Sequence, residues 1–477
     1  MFAINQFIKY SFLIFFLFAF CSCSSSSFKE DEKNVTNQPV APAKDTTIQR
    51  SVVIPRIICK ADTSLSYALY LPGKYNSSEQ FPVIYLFDSH GSGSFPIEKY
   101  KGLAEKYGYI LAGSNNSKNG MSWEANQPQI RIFMKEVADR LTIDPRRVYT
   151  CGFSGGSRVA SSGAIFDGGI NCVIGMGAGF PSIKDPIQNK FDYIGFAGNE
   201  DFNMNELIAL DASMDKTQLR HQLILFNGKH EWAPASIAED AFIWIEFNAM
   251  KDGLTGKNDT LIRNYLAKCK DSISMLGKQN KIYNKFLLVK KMNNFLNNLY
   301  DVSAYVKATI SKDTILLKKI FAAKAVLSKE EITMQQDYMK NFTLKNLQWW
   351  SSEIKKLNQQ SKSKADADRA AMNKRILSYL SLAAYMNASS AIESRQYGLA
   401  ENYLAIYQRV DPENPEHQYL FAKIYAIGKD SAKAEKALRN CFLLGFDDLP
   451  RIKSDTVFKN YNWQKMAGEA KEKTKND

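Results

Sequence analysis

Histidine is scarce in this chain. His90, His221, His230 and His417 are the whole supply in 477 residues, so any chemistry that needs an imidazole must use one of these four. Cysteine is equally uninformative as a ligand source. Cys59, Cys151, Cys172, Cys269 and Cys441 show no CxxC or Cys/His spacing, which argues against a zinc site and leaves any disulfide undetermined. Glycine and proline are both absent from residues 278–397, a stretch too long and too free of turn residues to be sheet. The apolar run Phe12–Phe20 is shorter than the roughly 20 residues needed to cross a bilayer. Apolar residues at 45% and charged residues at 23% argue against wholesale disorder, a collagen-like repeat and a polytopic membrane protein. A chain of this length exceeds what one core holds, so two or three domains are expected.

What is present is unevenly spread. The net charge is +13, yet residues 1–250 hold 23 Lys+Arg against 25 Asp+Glu, which leaves 39 against 24, or +15, for residues 251–477. The first half also holds 19 of the 26 glycines and 11 of the 14 prolines. Two architectures therefore meet near residue 250. Lys9 followed by Phe12–Phe20 has the form of a secretory signal, and Cys21-Ser22-Cys23 with Ser24 to Ser27 behind it resembles a bacterial lipoprotein cleavage site. The small Ser22 favours Cys23 as the lipidated residue. That gives a signal peptide over 1–22, a polar tether over 23–50, and an expected location in the cell envelope, anchored by lipid to a bacterial outer membrane.

Residues 51–250 alternate short β-rich runs with longer helical patterns. The runs are Tyr67–Leu71, Val83–Phe87, Ile110–Ala112, Val148–Thr150, Val173–Met176, Tyr193–Ala197 and Gln222–Phe226. Continuous apolar strands between helices predict an α/β fold with a mainly parallel sheet covered on both faces. Chemistry in such sheets gathers beyond the strands' C-terminal ends. There the sequence reads Gly152-Phe153-Ser154-Gly155-Gly156, a G-x-S-x-G between strand and helix. A serine hydroxyl needs a base, and His230, after the last strand and a short Asn227-Gly228-Lys229 turn, is the histidine at the right edge. Asp201, after Tyr193–Ala197, is the expected acid, with adjacent Glu200 as its rival. The amide of Gly155 and the loop carrying His90 and Gly91 are the expected oxyanion donors. Trp123, Trp232 and the polar run Ser114 to Asn119 fit a cleft lining and a plain core or loop equally, and receive no assignment.

The stretches Tyr70-Leu71-Pro72, Phe81 to Tyr85, His90-Gly91, Asp144 to Tyr149, Gly152 to Gly156 and Gly228 to Trp232 resemble the α/β-hydrolase family, nearest its polyhydroxybutyrate-depolymerase and feruloyl or acetylxylan esterase branch. The resemblance implies nucleophile, acid and base at Ser154, Asp201 and His230, an acyl-enzyme mechanism with no metal or cofactor, and an ester substrate, with acylated carbohydrate among the candidates. The loop departs from the family's HGGG pattern, and Lys229 stands where a second glycine is common. Both departures bear on substrate.

Beyond residue 250 the spacing is helical. Ser328-Lys329-Glu330-Glu331 has capping-box spacing and predicts a helix start there. A period of 34 pairs Ala388 with Ala422, Ala400 with Ala434 and Leu404 with Leu438, which resembles tetratricopeptide repeats over 376–477, behind a helical region over 251–375. The basic excess suits an anionic lipid, an acidic polysaccharide, a protein partner or simply solvent, and nucleic acid is disfavoured for an exported chain. Two functions compete: an anchored serine esterase with a helical interaction module, and a degenerate hydrolase scaffold whose repeats bind a partner. A serine peptidase would use the same residues.

Overall fold

The computed structural model describes residues 47–183 and 186–476. The signal run, Cys23 and the tether up to residue 46 lie outside the described residues. Eight strands form one sheet in the order β1-β2-β4-β3-β5-β6-β7-β8. They are β1 (Val53–Ile58), β2 (Ser66–Tyr70), β3 (Phe81–Phe87), β4 (Ile110–Ser114), β5 (Ile143–Phe153), β6 (Cys172–Met176), β7 (Asp192–Gly198) and β8 (His221–Phe226). β1 and β2 pair antiparallel, as do β2 and β4, and every pairing from β4 through β3 to β8 is parallel. β2, β3, β4, β6 and β7 are buried along their whole length, as expected for strands covered on both faces.

Two strands differ from the sequence reading. β1 has no counterpart in it, because Pro55 breaks the apolar pattern; the strand tolerates proline by lying at the sheet edge, with its register shifting between Ile54 and Ile57. β5 begins at Ile143, five residues early. Its Asp144-Pro145-Arg146-Arg147 portion looks like a turn but is absorbed by an irregularity in the β3–β5 register between Phe81 and Val83.

Helices cover both faces. α1 (Ser94–Tyr107) and α5 (Ala235–Lys251) pack on one side, with Ile97, Tyr100, Ala104, Phe242 and Trp244 in that core; α2 (Trp123–Arg140) and α3 (Gly155–Ser162) pack on the other, with Ile130, Phe133, Val137 and Ala160. α4 (Met204–Met214) lies between β7 and β8 in sequence. The first core does not stop at residue 250. Ile262, Tyr265 and Cys269 of α6 (Asp259–Lys278) and Val289, Met292 and Phe295 of α7 (Ile282–Leu296) belong to it. The change of composition near 250 is a change of secondary structure inside one continuous core.

α8 (Ser303–Ile310) and α9 (Thr314–Leu344) follow, then α10 (Leu347–Gln360), α11 (Ala367–Glu393), α12 (Tyr397–Val410), α13 (Glu416–Ile427), α14 (Ser431–Leu443), α15 (Leu449–Ser454) and α16 (Trp463–Asn476). From α9 onward they enclose a separate core that includes Trp350, Ile376, Leu380 and Phe458. The six residues of the 34-residue period are all fully buried, five of them in that core. Ser328 starts no helix: α9 runs through it from Thr314, and its hydroxyl donates to Asn205 Oδ1 at 3.0 Å instead of capping. With no glycine or proline upstream, nothing stops the helix from extending past a capping-box sequence. The described residues form one compact unit. No described helix is long and apolar enough to cross a membrane.

Candidate active site

Ser154 stands between β5 and α3 with φ 54° and ψ −120°, a conformation that costs an L-residue on the order of 1–3 kcal/mol. The surroundings enforce it. The Ser154 amide donates to the Met176 carbonyl at 2.8 Å, tying the turn to β6. Gly152 and Gly156 allow a backbone approach that no side chain permits: a Cβ on Gly152 would lie 2.1 Å from the Gly156 carbonyl oxygen, and one on Gly156 would lie 1.9 Å from that of Phe87. Gly156→Ala is therefore expected to destabilise the fold by about 3 kcal/mol, since the obstacle is main chain and cannot rotate aside; a urea midpoint unchanged from wild type would contradict this.

The turn presents Ser154 to His230. Ser154 Oγ lies 2.9 Å from His230 Nε2, and His230 Nδ1 lies 3.0 Å from Asp201 Oδ1. With Nδ1–H donating to Asp201, Nε2 is left as acceptor for the serine hydroxyl. Asp201 is 1% exposed and its Oδ1 also accepts the Asn203 amide at 2.8 Å, so the carboxylate is fixed by its own helix start as well as by the imidazole. The loops after β7 and β8 are stitched together: the Asn199 amide donates to Phe226 O, the Glu200 amide to Gly228 O, and the Gly228 amide to Asn199 Oδ1. Those bonds hold Asp201 and His230 at one sheet edge. Phe153 and Phe202, with ring centroids 4.7 and 4.3 Å from the imidazole, flank it and limit its rotation. Glu200, the rival acid, points elsewhere and pairs with Lys374 at 2.6 Å.

The other histidines take no part. His221, at the start of β8, pairs with Asp215, and His417 is buried, its pKa lowered by burial, with Nε2 donating to Pro412 O. Among the described residues no cluster of His, Cys, Asp or Glu is arranged to hold a metal, and all five described cysteines are free and buried.

The oxyanion loop requires a correction. His90 and Gly91 were the expected donors, but the His90 amide donates to Asp88 Oδ1 at 2.9 Å and the Gly91 amide to Asp88 O at 3.1 Å. The amide of buried Ser89 makes no hydrogen bond among the described residues. Gly155 opens α3, where backbone N–H groups lack intrahelical acceptors. Gly155 and Ser89 are thus the amides of these two segments that have no hydrogen-bond partner among the described residues. A turn on Asp88 draws the amides of His90 and Gly91 inward, and sequence spacing does not reveal which amide a turn spends on itself.

Asp88 was missed by the sequence reading. Its Oδ2 accepts the indole N–H of buried Trp232 at 3.0 Å, linking the β3 loop to the segment just after His230. Trp232 is thus a support and not a cleft wall. Burial works to raise the Asp88 pKa, but the hydrogen bonds from His90 and Trp232 outweigh it and hold the carboxyl below its ordinary range. A carboxyl depressed on folding contributes stability above its unfolded pKa of about 3.9, and that contribution disappears as pH falls through the lower folded value. Asp88→Asn should therefore lower stability at neutral pH by about 1–3 kcal/mol and flatten the acid limb of a stability–pH curve below about pH 4. Parallel curves for the two proteins through that window would refute the role.

No family model matches the chain, and no curated protein matches it in sequence. Solved structures similar to part of it are esterases and serine hydrolases. The S-formylglutathione hydrolase of Staphylococcus aureus is 12% identical over 42% of this chain and 98% of its own, with a TM-score of 0.34. A ferulic acid esterase is 16% identical over 40% and 94%, TM-score 0.33, and a thermophilic esterase of the Planctomycetes species Thermogutta terrifontis is 14% identical over 43% and 96%, TM-score 0.35. At these identities and scores the likenesses carry no residue role and no activity to this chain.

Proposed function

We propose that this protein is a serine hydrolase, and specifically a carboxylesterase, working through an acyl-enzyme on Ser154. The observation that carries the reading is the unbroken series Ser154 Oγ, His230 Nε2, His230 Nδ1, Asp201 Oδ1 at 2.9 and 3.0 Å, on a serine held at positive φ. His230 removes the hydroxyl proton as Oγ attacks the acyl carbonyl, and Asp201 offsets the charge that develops on the imidazole. The amides of Gly155 and Ser89 receive the oxyanion. The tetrahedral adduct collapses, His230 delivers its proton to the departing alcohol, and water repeats the attack on the acyl-enzyme with His230 again as base. Acylated carbohydrate is the substrate class to screen first. Cys23 is proposed as the lipid anchor that holds the mature chain in the cell envelope, and residues 376–477 as tetratricopeptide-like units open to a protein partner.

The test is labelling with a fluorophosphonate, which reacts with an activated serine, followed by a panel of p-nitrophenyl acetate and butyrate, methyl ferulate, acetylated xylan and a peptide amide. One adduct on the Ser154 peptide with ester turnover supports the reading. A folded protein without an adduct removes it and leaves the degenerate scaffold; turnover of the amide alone makes the enzyme a peptidase.

A further inference from the structure

Behind the acid loop lies a charge that the reaction does not use. Arg375 of α11 is buried against Glu331 of α9: Nη2 lies 2.6 Å from Oε2 and Nε 2.9 Å from Oε1, with Glu331 fully buried and Arg375 only 7% exposed. A buried ion pair is a poor device for stability alone, because desolvation of both ions consumes most of what their attraction returns. This pair does something else besides. The remaining guanidinium nitrogen, Nη1, leaves the helical core and donates to the main-chain carbonyl of Asn199 at 2.7 Å, two residues before Asp201. The neighbouring Lys374 binds Glu200 at 2.6 Å, and Ser328 of α9 donates to Asn205 of α4.

The Asn199–Asp201 segment is thus gripped from two sides. Facing β8, Asn199 and Glu200 exchange three hydrogen bonds with Phe226 and Gly228, which set the loop against His230. Facing the helices, the Asn199 carbonyl and the Glu200 carboxylate are held by consecutive residues of α11. A guanidinium anchored by two bonds to a buried carboxylate has little freedom, so its third donor fixes the carbonyl in space. The pKa of His90 is raised chiefly by its hydrogen bond to Asp88, and more weakly by the charges of Glu416 of α13 and Asp448, the residue before α15.

We propose that Arg375, clamped by Glu331, is a positioning residue for the triad: through the Asn199 carbonyl it sets the height of the Asp201 loop and with it the Asp201–His230 hydrogen bond. The helices from α9 onward are then part of the active centre and not an appended module. The proposal rests on the serine-hydrolase reading of Ser154, His230 and Asp201. Arg375 touches no reacting atom, so its loss alters the rate of the chemical step and leaves substrate binding alone.

The experiment uses the full mature chain in three forms: wild type, Arg375→Lys, and the double variant Arg375→Met with Glu331→Met, which leaves no unpaired buried charge. Two quantities are read from fluorophosphonate labelling: the fraction labelled at saturation, which counts folded sites, and the second-order rate constant, which reports how reactive each site is. Steady-state kcat and KM for p-nitrophenyl acetate accompany them. In the double variant the rate constant and kcat should fall about 10- to 100-fold with saturation labelling retained and KM within twofold. Arg375→Lys keeps the pairing with Glu331 but not the fork, and should lie between. A normal rate constant on a reduced labelled fraction means a merely structural pair and overturns the proposal. If the double variant does not fold, Arg375→Lys decides: a wild-type rate constant overturns the proposal, a reduced one at full labelling sustains it. A folded wild type that never labels overturns the serine-hydrolase reading itself, and the positioning role falls with it.

Discussion

Ser154→Ala is expected to lower ester turnover by about 10⁶-fold, to whatever hydrolysis the empty oxyanion amides still promote. The size follows from the covalent step: without Oγ there is no acyl-enzyme, and His230 has only bulk water to activate. Among the described residues no neighbouring hydroxyl is placed to substitute. Ser157, one turn along α3, is fully buried and donates to the Ala178 carbonyl at 2.7 Å, and Ser89 Oγ is engaged with the His90 ring. Alanine keeps a Cβ at the same positive φ, so the strain at the turn persists and the fold should be as stable as wild type. The measurement is p-nitrophenyl acetate hydrolysis with initial rates followed to enzyme concentrations high enough to see a millionfold loss, alongside a urea titration. Residual turnover above a thousandth of wild type, at full folding, would assign the nucleophile elsewhere.

How far the sequence carried this depends on whether a feature is local. The central strands were legible because burial on both faces writes itself as uninterrupted apolar runs such as Val83–Phe87. Ser154, Asp201 and His230 were legible because each follows a strand at the same edge and because only four histidines compete. The edge strand β1 was hidden by Pro55, which is informative only once the strand is known to be unpaired on one side. Asp88 and Arg375 were hidden for a different reason. Each works through a partner far along the chain, Trp232 at 144 residues and the Asn199 carbonyl at 176, and neither bond leaves a spacing or a period behind. The donor assignment to His90 and Gly91 failed for a local reason: the Asp88 turn consumes both amides, a choice made by backbone dihedrals. α6 and α7 show the opposite error, since a real change of composition near residue 250 does not mark an edge of the core that those helices share with the sheet.

Asp201→Asn is expected to cost about 10⁴-fold in kcat with KM nearly unchanged, while Glu200→Gln should cost little. The two acids are adjacent in sequence but differ in what surrounds them. Asp201 Oδ1 accepts both the His230 Nδ1–H and the Asn203 amide, and it is almost wholly buried, so an amide there has no room to reorient without breaking one of the two bonds. If the asparagine turns its NH₂ toward the ring, the imidazole must hold its proton on Nε2, and the nucleophile then faces a donor in place of a base. If it keeps its carbonyl toward the ring, the negative charge that offsets the developing imidazolium is still gone. Glu200 reaches Lys374 at the helical face, a partly exposed pair of the kind that contributes about 0–1 kcal/mol, and a glutamine retains a carbonyl for that lysine. Steady-state kinetics of both variants, with far-UV circular dichroism to confirm folding, separate the outcomes. A large loss in Glu200→Gln with activity kept in Asp201→Asn would mean that the loop rearranges in the working enzyme to present Glu200. Comparable losses in both would point to loop position as the common cause, because Glu200 and Asp201 share the short segment that α11 grips.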